Sequence, residues 1–199
     1  MNGSIDVAHT VMAGNFIEGS KAQVRVALEA RRRALSAEEV RAKGGEAQRC
    51  LAALSSFREA KVIALYAAQW FEVPTDALWR ARVCFPRVVA RGLALTMHEV
   101  SSPAALVLRG KLLEPADDAP QVALEEIDCW VVPGVGFTPD GDRLGRGAAY
   151  YDATLARARP DATKIGLTFA CCLVDALPAE PHDVRVDRVV TELGVAQPR

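Results

Sequence analysis

Apolar positions along the chain change texture near Lys61. Before it, Val24, Ala27, Leu28 and Leu35 recur at helical spacing. Ser20 and Gln23 form a capping box ahead of that stripe, and Ser36 with Glu39 repeats the signal. The pattern therefore predicts one helix opening at Ser20 and a second running from Ser36 to about Leu54. After Lys61 the apolar residues gather into short runs of strand length: KVIALYA (61–67), VCFPRV (83–88), LALTMHEV (93–100), IDCWVVP (127–133), KIGLTFA (164–170) and DRVVTE (187–192). Helical patterns near 75–82 and 149–159 lie between them. The 114–128 stretch, with six acidic and no basic residues, reads as a surface loop. Strands interleaved with helices predict an α/β fold whose sheet is covered by helices on both faces.

Composition narrows the class. With 199 residues, half of them hydrophobic, the chain can build a real core, which excludes wholesale disorder. Residues 1–19 form a flexible lead and 20–199 a single domain on this reading. The first 20 residues carry no lysine or arginine and no long apolar core, unlike a signal or transit peptide. No run approaches about 18 apolar residues, so no membrane partner is expected. A net charge of −1, from 24 basic and 25 acidic residues, argues against nucleic-acid or anionic-membrane binding. The N-terminal part is nonetheless basic, with ten Lys/Arg against five Glu between Lys21 and Lys61. Most of those charges read as solvated helix faces, although the surplus can also wall a pocket for an anion. Five cysteines without a C-x-x-C pair, two of them adjacent (Cys171, Cys172), point to a reducing cytoplasmic location. His9, His98 and His182 are too scattered for a zinc site.

The chemically informative segment is VVPGVGFTPDGDRLGRGAAYYDATLARAR. A buried strand ends at Val132-Pro133, a glycine-rich loop runs from Gly134 to Gly147, and a helix begins near Ala149. Open α/β sheets bind ligands where strands end and helices begin. Gly141, Gly145 and Gly147 permit φ > 0 and close backbone approach, so amides there are free to face an anion. Arg143 and Arg146 offer forked donors suited to phosphate, and Asp152 lies where a metal bridging phosphates would find it. There is no G-K-[ST], and Tyr150 replaces the third glycine of the dinucleotide fingerprint, so neither of those loops is present. A loop merely stiffened by glycines is the alternative; two arginines, two tyrosines and an aspartate beside it favour phosphate binding.

The run Gly141-x-Arg143-Leu144-Gly145-x-Gly147-x-x-Tyr150-Tyr151-Asp152 resembles the signature of the 5-formyltetrahydrofolate cyclo-ligase family. Further pieces follow in the family's order: Lys21-x-x-x-Arg25, Glu72-Val73-x-Thr75, Phe85-Pro86-Arg87, Glu114-Pro115, Leu177-Pro178-x-x-x-His182-Asp183-Val184 and Asp187-x-x-x-Thr191. The resemblance spans roughly residues 20–195 and implies a three-layer α/β sandwich around a mixed, Rossmann-like sheet. It implies ATP- and Mg²⁺-dependent conversion of 5-formyltetrahydrofolate, in free or polyglutamylated form, to 5,10-methenyltetrahydrofolate by a monomer, with release of ADP and phosphate.

The same resemblance gives Lys21, Arg25 and the run Arg143, Leu144, Gly145, Arg146, Gly147, Ala148, Ala149, Tyr150, Tyr151 to ATP. It implies Arg143 and Arg146 as the catalytic cations. Ala67 and Glu72 would contact the folate, Glu72 by accepting pterin N–H donors, and Arg146, Gly147, Ala148, Ala149 and Tyr150 would share that contact. Asp152 and Asp183 would hold Mg²⁺. Trp70 and Phe71 stand beside Glu72, where a pterin wall is conceivable but core packing is the commoner fate. Three positions depart from the family pattern: Ala148 lacks a frequent lysine, Ala149 replaces a usual glycine, and Cys172 stands near a frequent glutamine. They leave open a non-catalytic folate- or nucleotide-binding relative; a nucleic-acid-binding module using the basic helices is the remaining alternative.

Overall fold

The computed structural model describes residues 19–69, 71–80, 82–90 and 93–197, so residues 1–18 of the proposed lead and Trp70 lie outside the described residues. Both capping boxes form. Helix α1 spans Lys21–Arg33 and α2 Ala37–Ala52, each with its serine accepting from the N3 amide and its Gln or Glu returning the bond. Helix α2 ends short of Leu54, and a single turn, α3 (Ser55–Arg58), buries Phe57. Helix α4 (Tyr150–Leu155) stops before the expected end, its last turn tightening into three-residue bonds from the Arg157 amide to Thr154 and the Ala158 amide to Leu155. Among the described residues of 75–82 the pattern yields a 3₁₀ turn, Asp76–Leu78. That segment is too short to repay helix nucleation, and Trp79 instead stacks on Phe85 with ring centroids 5.1 Å apart.

Twelve short strands follow among the described residues. They are β1 (Ile63–Ala64), β2 (Val83–Arg87), β3 (Thr96–Glu99), β4 (Leu106–Arg109), β5 (Leu112–Pro115), β6 (Gln121–Val122), β7 (Cys129–Val132), β8 (Gly136–Phe137), β9 (Arg143–Leu144), β10 (Thr163–Leu167), β11 (Arg188–Thr191) and β12 (Gly194–Val195). Eight of them make one sheet in the order β12-β11-β10-β7-β1-β2-β3-β6. Its centre, β11-β10-β7-β1-β2, is parallel, and β12, β3 and β6 add antiparallel edges. The 114–128 stretch is not the expected loop. It closes the β4–β5 hairpin, supplies β6 and buries Glu114, Val122 and Leu124.

The central runs are apolar throughout because both faces of a parallel sheet are covered. Successive side chains alternate between two cores. Ile63, Val83, Phe85, Cys129, Val131, Ile165 and Val190 pack against Ala47, Leu51 and Phe57 of α2 and α3. Ala64, Cys84, Trp130, Val132 and Val189 pack against Leu155 of α4 on the other side, with Tyr150 and Tyr151 at its margin. Helices therefore flank the mixed sheet on both faces, as the resemblance implies.

A third, smaller cluster matters for function. Val24 and Leu28 of α1 pack on Val135, Leu144 and Val174. Gly136 makes this possible, since a Cβ there would fall 2.3 Å from Leu28 Cδ1. The first helix is thus clamped onto the glycine-rich loop rather than onto the sheet face.

Candidate active site

Strand β2 lies on one side of β1 and β7 on the other, so the strand order reverses at the carboxyl end of β1. Such a point leaves a crevice beyond the strand ends. Here Tyr66 and Ala67 follow β1, Pro133 and Gly134 follow β7, and Val88 follows β2; all of them line a cavity of about 340 Å³. That is a volume suited to a small-molecule ligand.

Every residue expected at a site lines this one cavity: Lys21, Arg25, Ala67, Glu72, the whole run 143–152, and Asp183. The cavity also has lining residues that pattern reading missed. Pro86, Val88, Leu95, Leu112 and Leu113 make an apolar end, Glu114 is buried in its wall, and Gln69, Glu180 and His182 add polar groups. The β4–β5 hairpin was unrecognised because its two strands are short and its outer face is exposed. Gln69 carries no motif; only its distance from Arg146 identifies it.

The loop is built from polar contacts. Within the β8–β9 hairpin the Thr138 and Asp142 backbones bond, and Asp142 N donates to Thr138 Oγ1 (3.0 Å). Gly141, at φ +90°, is indispensable there: a Cβ would lie 2.1 Å from the Val186 carbonyl oxygen. Beyond the hairpin, Arg25 Nε donates to the Gly145 carbonyl at 2.7 Å, so the α1 cation sits directly against the loop. Among the described residues no hydrogen bond is made by the amides of Gly147 and Ala148. Ala149 adopts φ 54°, ψ 13°, the left-handed region, as it caps α4. The usual glycine of the family would sit there without strain; alanine costs about 1 kcal/mol.

Arg143 has a different environment from the exposed phosphate hook its sequence suggests. Its side chain is buried, with Nη2 2.7 Å from Asp152 Oδ1 and Nη1 donating to the Pro133 carbonyl at 3.4 Å. The guanidinium also lies 5.8 Å from the Tyr151 ring centroid, while its Nε is buried without a partner. Burial, followed by the nearby Glu72 charge, pushes the Tyr151 and Tyr66 phenols up, so both stay protonated.

The two carboxylates expected to hold metal are each anchored by one oxygen. Asp152 Oδ1 accepts from Arg143 and from Val184 N (3.2 Å), and Asp183 Oδ2 accepts from Lys21 Nζ (2.6 Å) and Glu180 N (2.7 Å). The second oxygen of each takes no hydrogen bond among the described residues. Asp183 also groups with Glu180 and His182, a set that does not include Asp152. Hard carboxylate oxygens on the cavity wall are the donor type that would suit a magnesium ion. The unpaired amides, Lys21 and Arg25 likewise fit a polyphosphate.

Across the cavity, Arg146 leaves the loop and bridges to the segment after β1. Its Nη1 donates to Gln69 Oε1 (3.1 Å) and its Nη2 to Glu72 Oε1 (2.9 Å). Glu72 Oε2 accepts from the Gln69 amide at 2.9 Å, so both of its oxygens are engaged.

Residues 17–192 match the model of the 5-formyltetrahydrofolate cyclo-ligase family. The chain belongs to that family. The resemblance carried by the glycine-rich run is borne out, and with it the reading of the chain as a cyclo-ligase family enzyme. The 5-formyltetrahydrofolate cyclo-ligase of Mycolicibacterium smegmatis is 34% identical over 86% of this chain and 93% of its own length. The mouse protein of the same name is 29% identical over 91% of this chain and 98% of its own. Among solved structures, Aquifex aeolicus 5,10-methenyltetrahydrofolate synthetase superposes with a TM-score of 0.78 at 31% identity, covering 89% of this chain and 92% of that one. The Mycoplasma pneumoniae synthetase gives 0.72 at 26% identity, covering 87% and 99%. The cyclo-ligase signature and the cavity thus coincide in this chain.

Proposed function

We propose that the protein closes 5-formyltetrahydrofolate to 5,10-methenyltetrahydrofolate, with ATP as co-substrate, magnesium as the metal, and ADP and phosphate as products. The observation carrying this reading is that one cavity joins a cationic, amide-lined end to an apolar end within a cyclo-ligase family fold. A formamide oxygen leaves poorly. Transfer of the γ-phosphoryl group to that oxygen lets it leave as phosphate once N10 attacks the formyl carbon. The protein has to align the two ligands and neutralise developing charge.

In this reading Lys21, Arg25 and the amides of Gly147 and Ala148 hold the polyphosphate. Leu144, Gly145, Ala149, Tyr150 and Tyr151 complete the nucleotide's side of the loop. Arg146 faces both ligands. Arg143 works through its buried pair with Asp152, keeping the loop and that carboxylate in place. Asp152 and Asp183 would hold Mg²⁺, which when bound screens the phosphate charge. Ala67 and Glu72 contact the folate, while Pro86, Val88, Leu95 and Leu112 wall its flat ring. The cytoplasm is the proposed location: the cysteines are free thiols, and no helix among the described residues is long and apolar enough to cross a membrane. A monomer suffices, because both ends of the cavity come from one chain.

The basic N-terminal surplus gives little support to nucleic-acid binding. Lys21, Arg33, Lys43 and Arg49 are paired with carboxylates and Arg32 is buried. The test is to mix protein, Mg-ATP and 5-formyltetrahydrofolate and follow methenyl-folate absorbance together with ADP. Stoichiometric formation of both is expected. Ligand binding by folded protein without product would leave only a binding relative.

A further inference from the structure

We infer that Arg146, parked between Gln69 and Glu72, is a latch that makes nucleotide and folate bind with positive coupling, and that Gln69 is its positioning residue. The inference rests on the ligand placement proposed above. Bonds that hold the latch include Arg146 to Gln69 Oε1 (3.1 Å), Arg146 to Glu72 Oε1 (2.9 Å), and the Gln69 backbone amide to Glu72 Oε2 (2.9 Å). The Glu72 side chain is only 8% exposed, against 36% for Arg146, so the guanidinium covers the carboxylate.

Arg146 belongs to the glycine-rich loop, one residue from Gly145 and Gly147, whereas Gln69 and Glu72 follow the first strand. The bridge therefore ties the nucleotide's side of the cavity to the folate's side. A polyphosphate on the loop competes with Glu72 for the guanidinium. A folate offering N–H donors competes with Arg146 for the Glu72 carboxylate. Either ligand arriving alone has to break the bridge, and the second finds it broken. That shared step is a coupling free energy between sites, and it is reciprocal: each ligand raises the other's affinity by the same factor. It requires no large movement, only an exchange of partners at a forked cation.

The experiment measures dissociation constants by calorimetry for AMP-PNP with Mg²⁺ and for 5-formyltetrahydrofolate, each alone and in the presence of the other. For the wild type each constant is expected to fall about tenfold when the partner ligand is present. Gln69→Leu removes one of the guanidinium's acceptors. It is expected to tighten folate binding in the absence of nucleotide and to reduce the coupling factor, whereas a merely structural role would weaken both ligands. Arg146→Ala should bring the coupling factor to about one, with thermal melts verifying that both variants fold. Wild-type constants that ignore the second ligand, or coupling that survives Arg146→Ala, would overturn the latch while leaving the proposed activity intact. Failure of either ligand to bind at all would remove the reading of the site, and the latch with it.

Discussion

The strands at the centre of the sheet and the glycine-rich loop that follows β7 meet at Pro133, yet different physics holds each in place. Cys129, Trp130, Val131 and Val132 are essentially inaccessible and divide between two apolar cores. Their stability is non-directional, proportional to buried area, and indifferent to which apolar neighbour supplies it. Ten residues further on, the loop is held by a buried ion pair, a guanidinium on a carbonyl, one glycine against a backbone oxygen and one alanine in the left-handed region. Every one of those depends on direction. The sheet is therefore a tolerant scaffold, and the loop is an intolerant constellation stabilised by elements far away in sequence.

The largest effect expected from breaking this contrast is on the scaffold side. Trp130→Ala empties the centre of one core and should destabilise by roughly 4 kcal/mol. Chemical denaturation reads the loss, and the fraction still folded should retain its cavity. Asp152→Asn comes next. It weakens the partner of a buried guanidinium, so a loss of about 2 kcal/mol is expected together with reduced turnover. Activity falling with no change in denaturation midpoint would mean that Asp152 serves the ligand alone.

Ala149→Gly tests the strained cap. Removing the Cβ at φ 54° should stabilise by up to about 1 kcal/mol, provided the flexibility gained by the unfolded chain does not cancel it. An unchanged or lower midpoint would show that the surrounding loop, not the local backbone, sets that conformation.

The smallest effect concerns the pair that fastens α1 to residues 180–183. Burial opposes the charge of Lys21, but its hydrogen bonds to Asp183 and Glu180 outweigh that and raise its pKa. Burial likewise opposes ionisation of Asp183, yet the bonds from Lys21 and the Glu180 amide win and lower its pKa. The contribution of Lys21 is complete below the ordinary lysine value and fades as pH rises through the raised one. That of Asp183 is complete above the ordinary carboxylate value and fades as pH falls through the lowered one. Midpoints measured against pH should therefore be level across the neutral range for this pair, and Lys21→Met should remove the alkaline limb and shrink the acid one, to which the Glu180 amide still contributes. A break near neutrality would assign the transition to a histidine instead.

Thiol chemistry sharpens the same contrast. Burial pushes the Cys84 and Cys129 thiols up to about 12, so neither should react with a disulfide reagent until the sheet unfolds. Cys171 is half-buried, and the hydrogen bond it shares with Cys172 (3.9 Å) lowers its pKa. It should label first in the native protein, as peptide mapping after brief exposure would reveal.

Local pattern was sufficient for the scaffold. Capping boxes and short apolar runs are local signals, and Ser20, Ser36 and the runs ending at Ala67 and Pro133 act through neighbours a few residues away. They determined the first two helices, the central strands and the α/β class. The ordered motif pieces also named the side chains that line the cavity. Pattern failed where tertiary contact overrides it: 75–82 gave up a helix to stack Trp79 on Phe85, and the acidic 114–128 stretch became hairpin and edge strand.

Only the folded molecule decided how the named side chains are employed. Arg143 was legible as a cation but not as a buried brace for Asp152, because their contact depends on how the loop folds onto α4. Glu72 was legible as an acceptor but not as one already occupied by Arg146, 74 residues away. Ala149 was a substitution of unknown consequence until its φ was fixed by the chain on either side. Sequence specifies what each group can donate, accept or bury; the partner it finds depends on distances that only the packed chain sets.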